Sequence, residues 1–293
     1  MNYFSIAQLA QFSGIKPHTI RIWEQRYHAL KPARSEGNTR FYSDLDLKRL
    51  LNIVSLTDQY RVSELCSMSD KALNNQVGKL YLEKSEKNSN PFVSQLIAAG
   101  MEFNESSFQK VFSHCLLRFG VSDTYKDIIY PLLNRLGLMW ASDHLPAAHE
   151  HFISNMIRQK LLTAIDSLPL SEDHGKKWVL FLPEDEYHEM GLLFAQYVLG
   201  LQRQKVFYLG ASVPLSTLSL ACKNIKPDSL LLFFVHNDLP ENINLYLSAL
   251  TKNFKQSKIY ISGHEKLMER VDVGKKITWL RRVEDLEAVI TNV

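Results

Sequence analysis

A chain of 293 residues, 45% hydrophobic and 22% charged, has ordinary globular composition and room for two or three domains. Three widely spaced cysteines (Cys66, Cys115 and Cys222) exclude a disulfide framework, and the absence of any run of 18 apolar residues excludes a membrane-spanning helix. Net charge is only +3, but residues 16–40 concentrate Lys16, Arg21, Arg26, Lys31, Arg34 and Arg40 against Glu24 and Glu36. Met1-Asn2-Tyr3-Phe4 offers neither a charged n-region nor a long apolar h-region, so a cytoplasmic protein is expected.

Ser5 is positioned to cap a first helix whose face carries Ile6, Leu9 and Ala10, and Ser13-Gly14 ends it. Pro17 opens a second short helix with Thr19, Ile20, Trp23 and Glu24. Two short helices around a glycine turn read as helix-turn-helix, and Leu30 to Tyr42, with Gly37-Asn38 at its tip, reads as a two-stranded wing with basic flanks. Ser43-Asp44 then caps a third helix bearing Leu45, Leu47, Leu50, Leu51, Val54 and Leu56. Arg21, Arg26, Arg34 and Arg40 suit phosphate contacts, and His18 and Thr19 suit base edges. Tyr27 and Tyr42 either touch the DNA backbone or pack the wing.

Thr19-Ile20-Arg21, Trp23-Glu24, Arg26-Tyr27, Leu30, Pro32, Arg34, Asn38-Thr39-Arg40 and Tyr42 make this region resemble the DNA-binding domain of MerR-type transcription regulators. The resemblance covers residues 1–75. It implies a double-stranded DNA operator as partner, with His18, Thr19, Arg21, Arg26, Tyr27, Arg34, Asn38, Arg40 and Tyr42 as candidate contacts.

A polar linker is expected over residues 76–91, most evident in Lys84 to Asn90 before Pro91. Helical patterns follow at 93–101, 106–119, 123–139 and 145–167, with apolar spacing that fits an antiparallel four-helix bundle over residues 92–172 and a kink at Pro131. His144, His149 and His151 raise the possibility of zinc, but H-x-x-x-x-H-E-H lacks the paired i, i+4 spacing of a helical zinc site. Trp140, nine residues, then Glu150-His151 resembles the bundle motif of adenosylcobalamin-dependent MerR repressors of the CarH type. That resemblance implies that Trp140 covers the upper face of the corrin and that Glu150 and His151 border its upper ligand. Some light-sensing members carry a histidine after this tryptophan that binds cobalt after illumination. Here the position is Ala141, so no bis-histidine state can form through it.

From residue 173 onward, β-runs alternate with helical patterns: Trp178–Leu182, 189–202, Lys205–Leu209, 214–224, Ser229–Val235, 240–253, Ile259–Ser262, 265–271, Thr278–Leu280 and 282–291. The alternation predicts a doubly wound, Rossmann-like parallel sheet over 173–293, with ligands at the carboxyl ends of its strands. Glu186-Tyr187-His188-Glu189-Met190-Gly191 falls on the first such loop. A neutral imidazole at His188 can ligate a metal, Glu186 can tune it, and the bare Gly191 lets a bulky ligand approach the backbone. No G-x-G-x-x-G, P-loop or Ser/His/Asp constellation occurs, which argues against an enzyme.

The E-x-H-x-x-G loop resembles the lower-ligand motif of cobalamin-binding domains, which implies His188 as ligand to the cobalt of cobalamin. In that family a Ser-x-Leu follows, and then a Gly-Gly pair. Phe233-Phe234-Val235 occupies the first position and does not match; Ser262-Gly263 occupies the second and matches by half. Ser212, in a loop similar to the family's second strand end, is a candidate contact to the ligand tail. The cofactor-binding set is therefore Trp140, Glu150, His151, Glu186, His188, Gly191, Ser212, Phe233, Ser262 and Gly263.

Three readings follow. The first is a cytoplasmic transcription regulator, in the sense of a repressor, in which cobalamin between bundle and α/β domain biases a dimer or tetramer and hence DNA binding. The second is a MerR-type regulator with a degenerate sensor, Phe233 filling the tail tunnel, whose last domain serves oligomerisation or protein contacts. The third, a corrinoid methyltransferase subunit, conflicts with the winged helix-turn-helix of residues 1–75.

Overall fold

The computed structural model describes residues 3–34, 38–80, 90–140, 146–169, 175–235, 243–263, 268, 271 and 276–291. The chain divides into two compact units, Met1–Ile157 and Arg158–Val293. The wing tip at 35–37, residues 81–89 of the linker expected at 76–91 (whose residues 76–80 are helical), Ala141 and His144, and most of the helix expected at 265–271 lie outside the described residues. Among the described residues, no helix is long and apolar enough to cross a membrane.

In the first unit, α1 (Ile6–Ser13) starts on a capping box between Ser5 and Gln8 and ends at Gly14 in the left-handed conformation, φ 72°. Helix α2 (Pro17–Tyr27) starts on Pro17 and buries Ile20 and Trp23. Strand β1 (Tyr3–Phe4), which the sequence pattern did not signal, joins β2 (Ala33–Arg34) and β3 (Arg40–Ser43) in a sheet of order β1-β3-β2. Thus the wing is three-stranded. A second capping box, Ser43 with Asp46, starts α3 (Asp44–Leu56), and two further helices follow, α4 (Val62–Ser67) and α5 (Asp70–Leu80). Arg49 ties them to α3: its Nε donates to the Ala29 carbonyl at 2.8 Å and its Nη2 to the Cys66 carbonyl at 2.8 Å. Since guanidinium donors bonded to buried carbonyls replace lost hydration, this one side chain satisfies several segment ends at once.

The helical region comprises α6 (Asn90–Met101), α7 (Glu105–Thr124), a π-turn at Tyr125–Ile129, α8 (Tyr130–Trp140) and α9 (Ala147–Asp166). The expected kink near Pro131 takes a specific form. Gly120 leaves helical geometry at φ 75°, ψ 175°, and the Tyr130 N–H reaches back to the Tyr125 carbonyl across the π-turn. Proline lacks an N–H and crowds the preceding turn, so the helix widens just ahead of it. Within this unit α3 packs on α6: Gln95 Nε2 donates to Asn52 Oδ1 at 3.1 Å and to Ser55 Oγ at 3.0 Å.

The second unit is a five-stranded parallel sheet of order β5-β4-β6-β7-β8, built from β4 (Lys177–Pro183), β5 (Lys205–Val213), β6 (Ser229–Phe234), β7 (Lys258–Gly263) and β8 (Ile277–Trp279). Helices α11 (Leu215–Ile225) and α12 (Ile243–Asn253) cover one face, closing a core of Phe181, Leu218, Leu230, Leu232, Phe234, Leu247 and Leu250. On the opposite face α10 (Met190–Leu201) packs with α13 (Val283–Thr291). The strand order reverses direction between β4 and β6, and a doubly wound sheet opens its ligand crevice at such a point.

Candidate cofactor site and DNA-binding face

The His188 loop joins β4 to α10, at the carboxyl end of the strand beside the switch point. Its anchor is Glu186, a carboxylate with only 8% of its side chain exposed. Glu186 Oε1 accepts the backbone N–H of Tyr187 at 3.0 Å and of His188 at 3.1 Å, and stands 2.6 Å from His188 Nδ1. Its Oε2 accepts the Val235 N–H at 2.8 Å, from the residue just after β6. So dense a set of donors fixes the carboxylate in place. A carboxylate acceptor at Nδ1 holds the imidazole hydrogen there and turns Nε2 outward as the nitrogen for a metal. The ring itself is 55% exposed. A buried carboxylate orienting an exposed histidine could hold a metal ion such as the cobalt of cobalamin, so the residues present fit that group.

The loop is braced elsewhere. Ser212, at φ 51°, donates its N–H to the Glu186 carbonyl at 3.0 Å, and its hydroxyl accepts the Asp185 N–H at 3.2 Å. Ser212, expected from sequence as a contact to a ligand tail, thus has its hydroxyl engaged by the loop. Glu189 was not singled out from sequence. Its Oε1 accepts from the Tyr208 hydroxyl at 2.9 Å and its Oε2 from Arg158 Nη1 at 2.6 Å. Burial, with the Glu189 charge beside it, pushes the Tyr208 phenol well above its ordinary range. Only Glu189's adjacency to His188 signalled this trio; nothing in the spacing linked Arg158 or Tyr208 to it.

The geometry adds packing roles at two of the expected positions. The open approach expected over Gly191 is partly occupied, because a Cβ on Gly191 would stand 2.8 Å from Cε1 and 3.0 Å from Cδ1 of Phe233. And the small Gly263 serves strand packing: a Cβ there would meet the Phe234 carbonyl at 2.7 Å, while the adjacent Ser262 hydroxyl donates to the Leu280 carbonyl at 3.0 Å.

In the first unit, Glu150 and His151 lie on the first turns of α9, with Glu150 Oε2 2.8 Å from His151 Nδ1 and Ser154 donating to the other carboxylate oxygen. Trp140 ends α8; its side chain lies outside the described residues. His149, weighed from sequence as a zinc ligand, is buried, and its ring lies 4.3 Å from that of Phe103.

On α2, His18, Arg21 and Arg26 are exposed and Thr19 and Tyr27 half-buried, away from the packed Ile20 and Trp23. Arg34 and Asn38 are exposed on the wing, joined by a 2.6 Å hydrogen bond from Arg34 Nη1 to Asn38 Oδ1. Arg40 and Tyr42 are placed differently. Arg40 Nε pairs with Glu24 Oε1 at 2.8 Å, and the fully buried Tyr42 donates its hydroxyl to Glu24 Oε2 at 2.8 Å. Glu24 therefore clamps the wing to α2. Tyr42 packs, since a side chain without exposed surface cannot touch a duplex.

Residues 4–65 match the MerR HTH family of regulatory proteins, and residues 93–163 match the B12 binding domain. The chain is 26% identical over 275 residues to the HTH-type transcriptional repressor CarH of Myxococcus xanthus, covering 90% of this chain and 91% of that protein. It is 29% identical over 265 residues to the repressor CarA of the same organism, covering 88% and 85%. The monomethylamine corrinoid protein of Methanosarcina barkeri shares the fold at a TM-score of 0.54 and 14% identity, over 70% of this chain and 100% of that one. With matches to the MerR HTH and B12 binding models and an alignment nearly end to end with two HTH-type transcriptional repressors, this chain is a homologue of CarH and CarA.

Proposed function

We propose that the protein is a DNA-binding transcription regulator, not an enzyme, whose operator binding is controlled by cobalamin. The observation that carries the cofactor half is the Glu186–His188 pair: a buried carboxylate, fixed from two strand ends, orienting an exposed imidazole. Cobalamin, when bound, would bring a cobalt ion able to accept a nitrogen donor; His188 would provide that nitrogen, Glu186 would fix its tautomer, and the Ser212 and Glu189 contacts would hold the loop. Trp140, Glu150 and His151 are proposed as further cofactor contacts, with adenosylcobalamin the form preferred. The DNA half rests on the exposed His18, Arg21 and Arg26 of α2 and on Arg34 and Asn38 of the wing.

The protein acts as a cytoplasmic homo-oligomer, and cobalamin biases its assembly. An operator pairs half-sites, so a change in assembly alters affinity for DNA. The test is reconstitution with adenosylcobalamin in the dark and in light, followed by visible spectra, mass in solution and operator binding. A shift to the histidine-ligated spectrum together with a change in operator affinity is expected. Operator binding that is indifferent to cobalamin would instead favour the degenerate-sensor reading, in which the second unit serves protein contacts alone.

A further inference from the structure

The crevice between β4 and β6 is where a doubly wound sheet receives the buried part of a ligand. In this chain a phenylalanine ring occupies part of that space. Phe233 is the next-to-last residue of β6, and its ring lies directly against the Gly191 backbone at the start of α10. The strand end cannot swing away freely: Val235, two residues on, is tied to Glu186 by the 2.8 Å hydrogen bond, and Phe233 lies in register with Ser262 of β7.

Cobalamin carries a nucleotide arm that ends in its own base. If His188 takes the lower position on cobalt, as proposed above, that base is displaced and the arm must go elsewhere. A ring packed on the Gly191 backbone competes with a second aromatic group for the same surface, and removing it from that contact would forfeit apolar burial. We propose that this site recognises the corrin macrocycle and its cobalt without burying the nucleotide arm, so that it accepts corrinoids whatever their lower base, including those lacking the arm. Phe233 is the residue that sets this specificity.

The inference rests on the cobalamin reading above, and the experiment separates the two. The full-length protein is titrated with aquocobalamin and with diaquocobinamide, which has no nucleotide arm, and binding is followed by visible absorbance. Wild-type protein is expected to bind cobinamide at least as tightly as cobalamin, because cobinamide has no base to displace from cobalt. Cobinamide brings no base of its own. Nitrogen splitting in the electron paramagnetic resonance spectrum of its reduced Co(II) form therefore reports a protein ligand, and it is expected to vanish in His188→Ala. Phe233→Ser is expected to tighten cobalamin by about tenfold over cobinamide, by opening the crevice to the arm. The wild-type comparison stands even if that variant folds poorly, and Phe233→Leu, which keeps apolar bulk, is expected to keep the wild-type pattern.

A wild-type preference for cobalamin of about tenfold or more would overturn the inference while leaving the cobalamin reading in place. Failure of both corrinoids to bind wild type and Phe233→Ser alike would overturn both.

Discussion

At the residue scale, position decides which cations work and how. Arg21 is exposed on α2, while Arg40 is paired with Glu24, a carboxylate only 11% exposed. Arg21→Ala is expected to weaken binding to all DNA sequences and to lower the log–log salt slope by about one unit, as for one lost phosphate contact. Arg40→Ala should act through the fold, leaving Glu24 with the Tyr42 hydroxyl alone. A lower midpoint in denaturant titration is expected, with little change in salt slope. The His188 loop makes a parallel prediction. His188→Ala should abolish the histidine-ligated cobalamin spectrum. Glu186→Gln should keep the loop hydrogen-bonded but weaken cobalamin affinity about 10- to 100-fold, as losses of an orienting partner typically do. A titration showing wild-type affinity in both variants would refute His188 as the ligand.

At the element scale, two glycines of the helical region test the backbone directly. Gly120 has φ +75° and Gly137 lies in α8 with ordinary helical geometry; a Cβ at either meets nothing within 4 Å. With crowding absent from both, only conformational preference separates them. Gly120→Ala forces a left-handed L-residue and should destabilise by about 1–2 kcal/mol. Gly137→Ala removes backbone freedom from the unfolded chain and should stabilise by up to about 1 kcal/mol. Opposite shifts in the denaturation midpoint are the expected result, and equal shifts would contradict the break in α7. Sequence spacing placed the helices of this region within a few residues of where they lie. It attributed the irregularity to Pro131 alone, because φ at Gly120 depends on how the two segments of α7 are packed, and no local preference specifies that.

At the scale of the whole molecule, buried acidic protons set the response to alkali. Burial pushes the Cys115 thiol from 9.0 up to about 12 and the Cys222 thiol up to about 11, and it raises the phenols of Tyr42 and Tyr208 as well. Each of these pKa values is higher in the folded than in the unfolded protein. Their contribution to stability is therefore complete below about pH 9 and is lost as pH climbs toward the folded values. Denaturation midpoints measured between pH 8 and pH 11 should fall in both units, with the steepest decline above pH 9. The same burial predicts that Cys66, Cys115 and Cys222 resist a thiol-reactive dye at pH 8 until the protein is unfolded. Rapid labelling of the native protein would contradict it.

Much of this protein was determined locally. Capping residues, Gly14, Pro17 and the apolar periods place α1 to α3 and the strands of the parallel sheet, because those signals act over a single turn or strand. The basic character of α2 and the E-x-H-x-x-G loop were likewise visible as residues in order. Tertiary structure decided the rest. It engaged Arg40 and Tyr42 with Glu24, buried Glu186 under the Val235 amide, linked Glu189 to Arg158 and Tyr208, and laid Phe233 over Gly191. Each of those contacts joins residues at least 16 positions apart, as Glu24 and Arg40 are. Whether a charge is offered to a partner or neutralised within, and whether a glycine opens a site or seats a ring, depends on which distant side chain the fold brings to it.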